Sequence, residues 1–151
     1  KKEIETGKGK KYPKALFQSK ENKLMIKNYD EIKNNIQNNN FQLIDARSAG
    51  RFLGKESEPR KNLRSGHIQN SINLPWNECI DSETKCFLEK KVLEKKFKTL
   101  KIDLNKPVVF SCGSGVTACI IGKAFHIVSG GSICIYDGSW TEWATKEQLF
   151  T

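Results

Sequence analysis

The chain has no C-x-x-C pair, only two histidines, and no run approaching the roughly 18 consecutive apolar residues of a membrane span. The first two absences argue against a structural zinc site. The third argues against a membrane-spanning helix, and no apolar signal-peptide segment is visible either. Internal repeats are also missing, which excludes a repeat array. Acidic residues are in short supply: 17 Asp+Glu stand against 26 Lys+Arg, a formal net charge of +9. The imbalance is uneven, because residues 1–40 hold 10 Lys and 5 acids while the other 111 hold 16 basic and 12 acidic residues. A solvated basic linker explains that excess. Attraction to an anion such as RNA is the functional alternative. Aromatic residues do not alternate with the basic ones there, which weakens the RNA reading.

What is present suits one domain. The 151 residues are 37% hydrophobic and 28% charged, enough for one modest core under a well-solvated surface. The chain opens on KKEIETGKGKKYP with no Met, which reads as a fragment or a processed product. Residues 1–11 read as a basic linker and 12–151 as the folded domain. The five cysteines, Cys79, Cys86, Cys112, Cys119 and Cys134, are odd in number and suit free thiols in a reducing compartment.

Asn28 and Glu31 occupy capping-box positions ahead of a helix whose face carries Tyr29, Ile32 and Ile36. FQLID (41–45) reads as a strand. Residues 46–66 form a polar segment with four arginines, too long for an ordinary connection, so function is expected there. A short strand is expected over Ser71–Leu74. Leu93, Phe97 and Leu100 recur at helical spacing within 87–100. PVVFS (107–111) has the pattern of a buried strand. Ala118, Ile121, Phe125 and Val128 share a helix face that ends at Gly130-Gly131. SICIYDG (132–138) reads as a last strand, and SWTEWATKE as a helix with Ser139 as N-cap. Strands alternating with helices predict an α/β fold with a central parallel sheet covered by helices.

Cys112 falls at the carboxyl end of a predicted parallel strand, where open α/β sheets place their ligands. A helix beginning near Thr117 aims its free N–H groups and positive dipole end at the loop. Gly113 and Gly115 let successive amides, through Val116 and Thr117, converge into an anion-binding nest. A thiolate at that focus is stabilised and acts as a nucleophile near neutral pH. The competing reading is a packing cysteine beside a glycine turn, which suits Cys119 and Cys134 better. Cysteine phosphatases use C-x₅-R, but the sixth residue after Cys112 is Ala118, which argues against phosphoester chemistry. Arg47, Arg51, Arg60 and Arg64 suit bidentate recognition of a small carboxylate or sulfonate. Ion pairs with Asp45, Glu56 and Glu58 are the alternative for each. His67 reads as a structural hydrogen-bonder more readily than as a base.

Four ordered motifs, LIDARSAGRFLGKESEPR, SGHIQNSINLPW, CGSGVTA and YDGSWTEW, together resemble the C-terminal, catalytic domain of the thiosulfate/3-mercaptopyruvate sulfurtransferases, in the rhodanese superfamily. The resemblance covers roughly residues 12–148. It implies a rhodanese-like α/β fold and an enzyme in which Cys112 takes sulfane sulfur as a persulfide and passes it to a thiol or cyanide. Thiosulfate-preferring members carry basic residues after the cysteine. Gly113 and Ser114 instead match the 3-mercaptopyruvate branch, which releases pyruvate. There the residues matching Arg51 and Arg60 hold the substrate, and that matching Ser114 joins a proton relay whose His and Asp belong to an N-terminal domain. Asp45 and His67 are implied to be architectural, and Arg47 and Arg64 to be structural or to support the site. No cofactor is implied. The implied partners are a small anionic sulfur donor, an acceptor such as thioredoxin or a low-molecular-weight thiol, and an N-terminal rhodanese domain of the same chain. The implied location is cytoplasmic or mitochondrial, with no membrane. A thiosulfate enzyme and a non-catalytic sulfur-relay or RNA-binding module stand as alternatives.

Overall fold

The computed structural model describes residues 6–9 and 11–148. The expected linker 1–11 lies partly outside the described residues. Residues 11–22 carry no regular element and are exposed, and the first element is a single 3₁₀ turn at Lys23–Met25. Among the described residues five strands follow: β1 (Ile26–Lys27), β2 (Gln42–Asp45), β3 (Ser71–Asn73), β4 (Val108–Ser111) and β5 (Ile135–Tyr136). Five α-helices alternate with them: α1 (Tyr29–Asn38), α2 (Ala49–Phe52), α3 (Lys90–Thr99), α4 (Ala118–Ser129) and α5 (Ser139–Gln148). All strand pairs are parallel, in the order β1-β5-β4-β2-β3.

The strand sequences explain why both faces are covered. Leu43 and Val109 point to one side with Tyr29 and Ile32 of α1 and Trp140, Trp143 and Ala144 of α5. Ile44 and Phe110 point to the other with Leu93 and Phe97 of α3 and Ala118, Ile121, Ala124 and Phe125 of α4. Alternation along a strand sends successive side chains to opposite faces, so a parallel sheet with two helical layers needs an unbroken apolar run. All four residues of β4 are buried accordingly. The capping box at Asn28 and Glu31 is complete, with Asn28 Oδ1 accepting from the Glu31 amide at 3.0 Å and Glu31 Oε2 from the Asn28 amide at 3.0 Å.

The structure also corrects several boundaries. The segment 46–66 contains α2, a single turn capped by Ser48, which is too short to show a helical period. The two-residue β1 likewise left no pattern. The last strand is only Ile135–Tyr136, so Cys134 precedes it and enters the sheet through its carbonyl, which accepts from Phe110 N–H at 2.9 Å. Cys119 sits in the first turn of α4 but is exposed, facing away from the core. Cys79, by contrast, is fully buried, and burial pushes its thiol up to about 11. Among the described residues no helix is long and apolar enough to cross a membrane.

The connection after β2 leads to β3 on one side, and the connection after β4 leads to β5 on the other. A crevice therefore opens between the carboxyl ends of β2 and β4, the place where such sheets bind ligands. The carboxyl end of β2 delivers Asp45, Arg47 and, through α2, Arg51. That of β4 delivers Cys112.

Candidate active site

Cys112 follows β4 directly and is 2% exposed. Its loop is fastened from below by α5. The first amides of a helix have no partners within it, and here they find the loop carbonyls: Trp140 N–H donates to Cys112 O at 2.9 Å and Thr141 N–H to Gly113 O at 3.1 Å. Ser139 is consequently not the N-cap expected from the sequence. It is fully buried, and its Oγ accepts from the Cys112 amide at 3.1 Å and the Gly115 amide at 3.0 Å while donating to Tyr136 O at 2.8 Å. One hydroxyl thus fills its three positions and pins both ends of the turn. Ser139 holds this place at φ 50°, a conformation that costs a non-glycine residue about 1–3 kcal/mol.

The amides do not all converge on sulfur as the sequence reading expected. The Ser114 amide donates to Cys112 Sγ at 3.4 Å, but the Gly115 amide is taken by Ser139. Gly115 adopts φ +80°, and a β-carbon there would meet Asp137 O at 3.1 Å and Asp137 Oδ1 at 3.2 Å, so glycine is required twice over. Ser114 and Val116 are exposed at the crest of the loop, and Thr117 is the half-buried residue that leads into α4. Cys119 donates from Sγ to Gly115 O at 3.4 Å.

The four arginines separate into distinct environments. Arg47 is buried, with Nη2 on Asp45 Oδ2 at 2.6 Å and Gly66 O at 2.7 Å, Nη1 on Glu58 Oε1 at 2.9 Å, and its guanidinium 4.4 Å from the Trp140 ring. Arg64 lies over the same indole at 5.5 Å, and Trp140 Nε1 donates to Arg64 O at 2.9 Å. These two arginines build the frame. Arg51 is forked by Glu58, through Nε at 3.1 Å and Nη2 at 2.6 Å, and that Nη2 lies 2.9 Å from where a Gly113 β-carbon would be. Arg60 is exposed, and its Nη1 donates to Thr141 Oγ1 at 2.9 Å. Thr141 Oγ1 in turn donates to Gly113 O at 2.5 Å. Arg51 and Arg60 therefore both reach Gly113, one by direct approach and one through a hydroxyl.

Asp45 is a buried strut: besides binding Arg47, its carbonyl accepts from Leu74 N–H and Asn73 Nδ2. His67 stacks on Phe52 at 4.0 Å, with Nδ1 2.8 Å from Phe52 O. His126, on α4, pairs its Nδ1 with Gly131 O at 2.9 Å. Sequence reading missed Thr141 and misplaced Ser139. The signal available was their position beside Trp140 in YDGSWTEW, but a Ser opening a helix looks like a cap whichever group it actually serves.

A buried thiol held by a backbone amide, with Arg51 against the adjoining glycine and Arg60 one hydroxyl away from it, can attack a small anionic electrophile. Comparison with known proteins gives the same context. The Rhodanese-like domain profile matches residues 28–146. Thiosulfate/3-mercaptopyruvate sulfurtransferase 1, mitochondrial, of Arabidopsis thaliana is 44% identical over 133 residues, covering 88% of this chain and 35% of the relative. Human 3-mercaptopyruvate sulfurtransferase is 39% identical over 142 residues, covering 93% of this chain and 46% of the relative. The crystal structure of the Tum1 protein from Saccharomyces cerevisiae superposes with a TM-score of 0.73 at 39% identity, covering 80% of this chain and 43% of that one. The chain thus spans less than half the length of these relatives. Matched along most of its own length, and with the rhodanese α/β sheet in place, the chain belongs to the rhodanese-like domain family.

Proposed function

We propose that this domain is the sulfur-accepting half of a sulfurtransferase that uses 3-mercaptopyruvate. The observation that carries the reading is Cys112 beside Gly113, with Arg51 close against that glycine and Arg60 on the Thr141 hydroxyl that holds the glycine's carbonyl. The Cys112 thiolate attacks the donor's thiol sulfur. An S–S bond forms, the donor's C–S bond breaks, and its electron pair passes to the methylene carbon as the pyruvate enolate. The proton from the donor's sulfur balances the enolate and gives pyruvate, leaving Cys112 as the persulfide. An incoming thiol then attacks the outer sulfur and restores the Cys112 thiolate.

The two arginines suit a keto acid because a single carboxylate and a carbonyl need two donors, not a ring of fixed charge. The backbone amide of Ser114 stabilises negative charge on sulfur without adding a cation. By resemblance to the family, the Ser114 hydroxyl passes the proton within a relay completed by a second, N-terminal rhodanese domain. Thioredoxin or a low-molecular-weight thiol is the proposed acceptor, in the cytoplasm or in the mitochondrion. The second reading is a preference for thiosulfate, which one relative's name pairs with 3-mercaptopyruvate.

Intact-mass analysis of the full chain after exposure to 3-mercaptopyruvate should show one added sulfur, absent in Cys112→Ser. A full chain that gains no sulfur sinks the proposal. Kinetics with both donors decides between the readings, and a strong thiosulfate preference overturns the first.

A further inference from the structure

Thr141 stands outside the loop and outside the segment 46–66, yet it touches both. Its amide and its hydroxyl both donate to Gly113 O, at 3.1 and 2.5 Å, and its hydroxyl accepts from Arg60 Nη1 at 2.9 Å. In a trans peptide the C=O and the following N–H point in opposite directions. Holding Gly113 O against α5 therefore turns the Ser114 N–H the other way, and it is this N–H that meets Cys112 Sγ at 3.4 Å. We infer that Thr141 is a positioning residue that couples Arg60 to the Cys112 thiol through the Gly113–Ser114 peptide.

The coupling has two parts. The hydroxyl fixes where Arg60 begins, so the guanidinium is held over the loop when an anionic donor arrives. The hydroxyl also polarises the peptide. A hydroxyl that accepts from a cation becomes a better donor, and a carbonyl that accepts two hydrogen bonds makes its own N–H a better donor to sulfur. The chain of contacts runs from the Arg60 cation through Thr141 Oγ1 and the 113–114 peptide to Cys112 Sγ. A valine at 141 would keep the β-branched shape and the backbone hydrogen bond, but would break the chain at its middle.

The inference rests on Cys112 being the reacting thiol, so the test uses chemical probes that do not depend on sulfur transfer. Alkylation of Cys112 by neutral iodoacetamide and by anionic iodoacetate is followed on the full chain by peptide mapping, with exposed Cys86 as internal reference. Thr141→Val should slow iodoacetamide at Cys112 by about three- to tenfold, the range of one lost hydrogen bond. It should slow iodoacetate more, so the ratio of the two rates falls, while Cys86 is unchanged. Thr141→Ser keeps the hydroxyl and should restore both rates and their ratio. Unchanged rates and an unchanged ratio in Thr141→Val overturn the inference. So does an equal loss in the Val and Ser variants with a lowered Tm, which would mark Thr141 as packing. Should the wild-type chain fail to load sulfur from 3-mercaptopyruvate while the alkylation pattern holds, the donor assignment falls and the positioning role stands.

Discussion

Arg47 and Arg60 lie in the same polar segment and carry the same guanidinium, but the fold treats them oppositely. Arg47 is fully buried between Asp45 and Glu58, under Trp140. Arg60 is exposed, and among the described residues no carboxylate pairs with it; its partner is a hydroxyl. A guanidinium saturated by two buried carboxylates has no charge left to offer a ligand. One held by a neutral hydroxyl keeps its charge and gains a direction. Arg51 stands between them, forked by Glu58 but close against Gly113. From Arg47 through Arg51 to Arg60 the charge therefore grades from structural to available, and Arg64, over the Trp140 ring, returns to the frame.

The comparison is broken most forcefully at Arg47. Removing one partner of a buried ion pair strands the other, at about 3–5 kcal/mol. Arg47→Met should show that loss in denaturant midpoint, with part of it recovered in Arg47→Met/Asp45→Asn, since the second change removes the stranded carboxylate. An Arg47→Met protein of wild-type stability would mean that the pair is not a strut. Glu58→Gln should come next, at about 1–3 kcal/mol, because Asp45 still satisfies Arg47 while an amide NH₂ now faces cationic donors. It should also loosen Arg51 and raise KM for 3-mercaptopyruvate. A stability loss with unchanged KM would show that Glu58 does not aim Arg51.

Gly113→Ala is milder for the fold and sharper for the site. The new β-carbon would press on Arg51 Nη2 at 2.9 Å, and Arg51 is held by two bonds to Glu58, so one of them must lengthen. Stability should change by no more than about 1 kcal/mol, while the carboxylate donor should lose more activity than thiosulfate does. Equal losses for both donors would separate Gly113 from donor choice.

Strands β2, β3 and β4 were legible because their physics is local, whereas the two-residue β1 was not. VVFS must be buried on both faces, and Asn28 with Glu31 three positions later can close a capping box without help from the rest of the chain. Cys112 was legible for the same reason, as a thiol between a strand and a glycine turn. Ser139 was not, because the first amides of α5 are satisfied by carbonyls 28 residues away in sequence, which frees its hydroxyl for the Cys112 loop. The division among the arginines was equally hidden: only tertiary packing decides which of them meets Asp45 and which meets Thr141. Cys119 misled for a related reason. Its neighbours Ala118 and Ile121 are buried, but one position on a helix turns a side chain by a quarter of the circumference or more, enough to leave the thiol exposed.

Arg60→Ala should disturb the fold least of all. The residue is exposed and makes one hydrogen bond to a hydroxyl that retains Gly113 O as its acceptor, so stability should stay within about 0.5 kcal/mol. The cost falls on binding. A lost charged hydrogen bond to a carboxylate is worth about 1.5–3 kcal/mol, roughly 10- to 100-fold in kcat/KM. If Arg60 holds the donor equally before and during sulfur transfer, the loss appears in KM alone. If it also strengthens the Ser114 amide through Thr141, kcat falls as well, and Arg60→Lys, which keeps the charge but not the planar fork, recovers only part of it. Wild-type kinetics in Arg60→Ala would erase the distinction between the two arginines, leaving Arg51 as the sole anchor for the donor.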